Sequence, residues 1–435
     1  MPSIRQNMLL ALLCLVVLES VSTAGPGWPA RFGPQGNGQV PAEESQGIPT
    51  EWDEESGSGI RWKIELPDFG HSVPVARDGR IWLTTATENG HSQSLLCLNA
   101  DTGKVLHQKL LFENAEPEPL NNPVNTYASP TCVVTDDAVY VHFGSYGTAR
   151  VDPQSMEIVW QRLDIKCRHF RGPGSSPVLH NDILILTFDG IDAQFLTGLD
   201  ARTGKTVWRT KRTTDYGDLD DTGEPFREGD LRKAYSTPGL AEVDGQTQVI
   251  SVGSRAAFGY AAETGEEVWT IRHDDYNAAS PPMFFNNLAI LNTGSSGANL
   301  VGINLNQSTQ GDITESHVVW DRKKGNSRLS APLLYDGRIF MVTHAGVGVC
   351  VDAASGKELN KIRIGGTFVS SPIMVNGLIY IGNEDGVVVV FKADETMDIV
   401  AKNQLSEGMR ASPSAADGKL YLRTLKHLYC IGSTP

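Results

Sequence analysis

The chain of 435 residues is poor in cysteine, with six, and none of the six adjoin or form a Cys-x-x-Cys pair. That excludes a thioredoxin-type redox pair, a zinc ribbon and a covalent haem attachment. Its ten histidines include no His-Glu-x-x-His, so a zinc peptidase has no support either. Basic charge is in deficit, 37 Lys and Arg against 51 Asp and Glu, for a net charge of −14. Phosphate recognition needs a clustered cationic excess, so this balance argues against a nucleic-acid binder. Long apolar runs are missing as well. The longest, Met8 to Leu18, has 11 residues, against the roughly 20 that a helix needs to cross a bilayer. A 3.6-residue hydrophobic period is absent too, which excludes helical solenoids. What is plentiful is turn-forming residue, 44 Gly and 23 Pro, alongside 40% hydrophobics that suffice for a core. By length alone the chain is about three ordinary domains or one large all-β unit.

The short apolar run has the layout of an export leader. Arg5 supplies a positive start, Met8 to Leu18 the hydrophobic centre, and Ser22-Thr23-Ala24 the small residues read before cleavage. Cleavage after Ala24 and a periplasmic or extracellular location are expected. Residues 25–59 are rich in Gly and Pro without periodicity, which predicts an ordered coil or tether with no domain of its own.

Self-comparison exposes a repeat. A small residue, mostly polar, precedes Pro at Val73-Pro74, Ser129-Pro130, Ser176-Pro177, Thr237-Pro238, Ser280-Pro281, Ala331-Pro332, Ser371-Pro372 and Ser412-Pro413. Each pair leads into an apolar run and then a turn pair such as Asp78-Gly79, Asp336-Gly337 or Asn376-Gly377. Asp-Gly and Asn-Gly accept the positive φ angles of two-residue hairpins. Two further strands follow, joined by a tight turn, as in Leu199 to Trp208. Each unit is therefore a four-stranded antiparallel meander. Spacings of 56, 47, 61, 43, 51, 40 and 41 residues between the prolines match propeller blades near 40 residues with loop insertions. The eighth unit stops after its third strand, and a fourth strand stands at the front, residues 60–66. The fold expected is all-β: an eight-bladed β-propeller of residues 60–435, closed by strand 60–66 pairing with the C-terminal blade. Closure removes the edges that open sheets must protect.

Asp-x-x-Thr-Gly-x-x-x-Trp is complete from Asp200 to Trp208 and partial from Asn99 to Leu106, Ala261 to Trp269 and Asp352 to Asn360. It resembles the tryptophan-docking repeat of quinoproteins, the PQQ-repeat propeller family. The resemblance spans residues 60–431 and implies eight blades. Some members are pyrroloquinoline-quinone (PQQ) dehydrogenases acting on alcohols, including polyvinyl alcohol, and others are similar to BamB-like non-catalytic scaffolds.

The register sorts candidate residues. Trp62, Trp160, Trp208, Trp269 and Trp320 share the fourth-strand position and are expected to pack between blades. Cys97, Cys350 and Cys430 share a third-strand position where other blades carry Gly198, Gly259 and Gly302, and read as small buried hydrophobes. Cys132 and Cys167 fall outside it. They could pair in an oxidising compartment, although a strand start and an inter-blade loop weigh against it. Asp218, Asp220 and Thr222 take the first, third and fifth places of a calcium loop, but Gly229 stands where its bidentate Glu belongs, and a solvated acidic loop is the default.

The long connections, residues 107–128, 161–175 and 209–236, must share one face, where binding residues concentrate on a rigid scaffold. Residues three or four before each Pro should ring the channel mouth there: His71, Tyr127, Tyr235 and Arg410, with Asn277 and Arg328. Arg171 and His169 stand slightly further out. Arginines gathered at one mouth of an acidic protein point to an anion, carboxylate or polyol oxygen held by forked hydrogen bonds. The function expected is an exported non-catalytic binding or scaffold protein that takes a protein, glycan or small-molecule ligand at that mouth. The competing expectation is a PQQ- and calcium-dependent alcohol dehydrogenase. Its adjacent cysteine pair is missing, and its catalytic carboxylate is not identifiable. No nucleic acid and no membrane span are expected, and a closed ring is expected to be monomeric.

Overall fold

The computed structural model describes residues 27–121, 124–295, 297–306 and 309–433. The expected leader, residues 1–24, lies outside them. Strands group into eight sheets, each built on a four-stranded antiparallel meander; one of these is completed by the first strand, and one carries a fifth, parallel strand. Blade 3 shows the pattern: Val178–His180, Ile183–Asp189, Gln194–Asp200 and Thr206–Lys211. Its second strand is wholly buried, while its fourth alternates toward solvent. The turn residues Asp78, Asn181, Asp244, Asn286, Asp336, Asn376 and Asp417 all have φ between 48° and 52°, as the hairpin geometry requires.

The ring closes as expected. Ile60–Glu65 runs antiparallel to His427–Ile431, with Trp62 opposite Cys430, and completes the blade of Ser414–Ala416 and Lys419–Arg423. Closure leaves the eight sheets without a gap between first and last blade.

Indole docking explains the repeat signature. Trp62, Trp160 and Trp208 donate Nε1 to the carbonyls of Ala100, Ala201 and Ala262 in the following blade, at 3.1, 2.9 and 3.1 Å. The Thr-Gly glycine beneath each ring is obligatory. Gly204 and Gly265 have φ near +70°, and a Cβ there would lie 2.6 and 2.4 Å from Trp160 and Trp208. Trp269 departs from the pattern. It is fully buried, donates to Gln248 of its own blade at 2.8 Å, and lies under a fifth strand, Gly311–Asp312, that pairs with it in parallel. That strand comes from the long connection inside blade 5, which has no Thr-Gly turn to receive an indole, so an insertion covers the ring instead.

The small polar residues before proline have a structural task. Their hydroxyls accept amide protons from the preceding blade, Thr131 to Ser176, Ser176 to Thr237, Ala331 to Ser371 and Ser371 to Ser412, and Thr131, which follows Pro130, takes the Val73 amide in the same way, all at 2.9–3.0 Å. First strands are short, so these bonds satisfy buried amides that have no ladder partner and tie neighbouring blades around the axis.

All five cysteines of the described residues are buried and free. Cys132 packs with residues of blades 1 and 2 and Cys167 with residues of blades 2 and 3, so the possible bridge between them is not formed. No helix among the described residues is long and apolar enough to cross a membrane.

Residues 27–52 lie across the face that carries the first hairpin turns. Trp28 is fully buried and exchanges backbone hydrogen bonds with Ala76 of blade 1 at 2.7 and 3.1 Å. Further on, Val40 donates to Met374 of blade 7 at 2.9 Å, and Met374 donates back to Gly38. Buried Glu44 accepts the Asp417 amide of blade 8 at 2.6 Å, and Trp52 donates to Asn403 at 2.9 Å.

Candidate ligand-binding cavity

The central channel holds a cavity of about 360 Å³ on the loop-rich face. Its walls include His71, Arg171, Tyr235, Asn277, Arg328 and Arg410. These are six of the seven candidate ligand-binding residues: five stand at the fixed offset before a proline, and Arg171 was expected slightly further out. The long connections each supply a wall residue, Asn125, Arg171 and Tyr235. Sequence spacing works here because first strands run along the axis, so a fixed offset before the proline is a fixed height in the channel.

Tyr127 is not among them. Its ring is buried against Gly90 of blade 1 and stands edge-on to Tyr146, 5.3 Å between centroids, while its hydroxyl donates to the Glu118 carbonyl at 2.9 Å. The long 107–128 connection folds back over this residue and draws it into the wall between blades. His169 is likewise buried beside the cavity. Its Nε2 accepts the Ser145 amide at 2.9 Å, and burial together with Lys233 and other cations holds its pKa well below the usual histidine range.

The calcium-loop oxygens are otherwise engaged. Asp218 is buried and forked onto Arg232 at 2.8 Å through both oxygens, and Asp220 accepts the Thr222 hydroxyl at 2.6 Å and the Glu224 amide at 3.0 Å. Among the described residues no three His, Cys, Asp or Glu side chains stand close enough to share a metal ion.

The electrostatics of the cavity are one-sided. Its described walls carry four arginines and no Asp or Glu. Two are fixed from behind: Arg171 is forked onto Asp230 at 2.8 Å through both nitrogens, and Arg410 meets Glu384 at 2.8 Å. Arg328 is exposed and makes no ion pair with a described residue. His71 is pushed down to about 3, by burial and then by the Arg423 and Arg410 guanidiniums, so it is neutral at ordinary pH. Behind it, Arg423 is fully enclosed without a carboxylate; its Nη1 donates to Ser72 and Thr84, and burial holds it at about 9. On the other side, the buried Tyr235 hydroxyl and Asn277 Oδ1 have no hydrogen-bond partner among the described residues.

Two basic side chains of the wall were invisible to the repeat. His344 arrives from the connection after a second strand, its Nδ1 within 3.1 Å of the Phe368 carbonyl. Arg31 comes from the segment that precedes the first blade, where no register exists to place it.

Comparison with known proteins adds the following. The family described as outer membrane protein assembly factor BamB matches residues 23–190 and 192–431. No curated protein sequence matches the chain. Solved structures with this fold include BamB from Moraxella catarrhalis, 13% identical over 86% of this chain and 99% of that one, TM-score 0.59. Quinohemoprotein alcohol dehydrogenase from Comamonas testosteroni is 11% identical over 95% of this chain and 82% of that one, TM-score 0.67. A europium-containing methanol dehydrogenase is 10% identical over 94% and 98%, TM-score 0.57. At such identities the likeness is one of fold, which both assembly factors and dehydrogenases share.

Proposed function

The chain belongs to the family described as outer membrane protein assembly factor BamB, and from that premise we propose that it is an exported, non-catalytic binding protein that holds an anionic group of its ligand or partner in the central cavity. The observation that carries this is the gathering of Arg31, Arg171, Arg328 and Arg410 around one cavity without a carboxylate among its described walls. Guanidinium forks in a partly enclosed site favour carboxylate, phosphate or sulfate oxygens.

The same wall chemistry argues against PQQ with calcium. Arginines could meet the carboxylates of the quinone. A calcium ion, however, needs six to eight oxygen ligands, several of them charged, and the described walls offer none that is anionic. No two cysteines adjoin to lie against the cofactor ring. These residues do not fit the loaded cofactor.

The test is calorimetric titration of the chain with citrate, glucuronate and inorganic sulfate, beside PQQ with calcium. Saturable citrate or glucuronate binding that weakens about ten-fold or more in Arg328→Ala with Arg410→Ala is the expected outcome, since a charged hydrogen bond contributes about 1.5–3 kcal/mol. Tight calcium-dependent uptake of PQQ with dye reduction by an alcohol would overturn the proposal in favour of a dehydrogenase.

A further inference from the structure

Arg31 belongs to the walls of two cavities. One is the 360 Å³ cavity of the loop-rich face, and the other, of about 590 Å³, lies on the hairpin-turn side between residues 29–39 and the first strands of several blades. The side chain therefore stands on the axis between them. Its anchorage is slight: Nη1 donates to the Gly174 carbonyl at 3.2 Å, and the guanidinium lies 5.2 Å from the Phe32 centroid. It makes no ion pair with a described residue, its Nε is enclosed without a partner, and its Nη2 makes no hydrogen bond to a described residue. The residue is half-buried, and a partly buried cation without a counter-charge is favoured by an anion that reaches it in the channel. Burial accordingly lowers its pKa to about 10.

The backbone that presents it is firmly held. Trp28 and Pro29 bond to Ala76 and Val134, and Gly38 and Val40 to Met374, so residues 28–40 form a bar from blade 1 to blade 7. Nothing in the propeller repeat needs such a bar, because the ring is already closed by Ile60–Glu65.

Resting on the binding function proposed above, we infer that the segment before the first blade is part of the ligand site: it floors the channel and supplies Arg31 to a small, multiply charged anion that enters from the loop-rich face. The floor sets the ligand class. A channel blocked at one end takes a free small anion or the charged end of a chain, whereas a polymer threaded along the axis has no exit. The cavity volume, about 360 Å³, suits a compact di- or tricarboxylate or an acidic sugar unit.

The test compares citrate and glucuronate titrations of the full chain with those of Arg31→Gln, Arg31→Lys and Arg363→Gln. Arg363 is an exposed fourth-strand residue outside the cavity, so it controls for the loss of one positive charge. Affinity is expected to fall about ten-fold or more in Arg31→Gln, partly to recover in Arg31→Lys, and to stay within about two-fold in Arg363→Gln, with melting temperatures of all three near that of the parent. Trypsin cleavage after Arg31 should also slow when citrate is added. If Arg328→Ala with Arg410→Ala loses binding while Arg31→Gln keeps it, the inference falls and the proposed function stands. If neither anion binds the parent chain at millimolar concentration, both fall.

Discussion

Asp189→Ala should destabilise the protein more than its size suggests. Asp189 ends the second strand of blade 3 and meets Arg212, just past the fourth strand, through paired contacts of 2.6 and 2.8 Å. The side chains are 1% and 0% exposed, and Arg212 also donates to Ser251 of blade 4 at 2.8 Å. The pair thus clamps the root of the long 213–232 connection, whose far end is held by Lys233 donating to the Asp189 carbonyl at 2.7 Å. Removing one member leaves the other charge buried and unpaired, which costs about 3–5 kcal/mol. With an unfolding entropy near 2.1 cal/mol/K per residue over roughly four hundred residues, each kcal/mol lowers Tm by about 1 °C, so the expected fall is about 3–5 °C. Scanning calorimetry measures it, and trypsin should cut within residues 213–232 faster than in the parent. Asp189→Leu combined with Arg212→Met removes both charges and should recover to within about 1 kcal/mol of the parent. A single variant that melts within 1 °C of the parent, or a double variant as weak as the single, would refute the clamp.

Acid should weaken the fold through histidine. Burial pushes His142 down to about 3, and His71 is likewise held at about 3, so between the ordinary 6.5 and 3 the unfolded chain binds more protons than the folded one. Stability therefore falls with pH below 6.5, by about 2 kcal/mol per such histidine at pH 5, and His142→Asn should flatten the profile of urea midpoints against pH. A flat profile in the parent would show these rings to be solvated. Trp208→Ala removes a buried indole and its bond to Ala262; a loss of about 3–5 kcal/mol is expected by urea denaturation, and a loss below 1 kcal/mol would mean that docking contributes little. Cys132, Cys167 and Cys430 are pushed up to about 12 by burial, so iodoacetamide at pH 8 should leave them unlabelled in the native protein and label them in urea. Native labelling would contradict their placement.

The propeller was legible because its information is repeated. Proline offset, turn pair and tryptophan each recur, so an irregular blade is read from its neighbours, and the position of Trp62 alone assigns the front strand to the last blade. The same redundancy located His71, Tyr235, Asn277, Arg328 and Arg410, while Arg171 was found from the long connection that carries it. It misplaced Tyr127, which has the same offset as Tyr235 but follows a connection that folds back and binds its hydroxyl through Glu118. It was silent on Arg31 and on the Gly311–Asp312 strand, because both belong to segments that occur once. Which hydroxyl accepts from which blade was also hidden, since the pattern shows a Ser or Thr but not the amide that reaches it.

The shared eighth blade sets an order of events in time. Trp62 lies near the start of the ring sequence and Cys430 near its end, so the strand that leaves the ribosome early waits unpaired until the last residues arrive. Contacts so distant along the chain are slow to form. Until they do, the front strand Ile60–Glu65 is unpaired and the incomplete final blade presents an open edge, the period in which strand edges invite aggregation. The chain should therefore depend most on a chaperone until the strand His427–Ile431 has emerged. Removing residues 427–431 should leave a ring unable to close, however well each of the first seven blades folds.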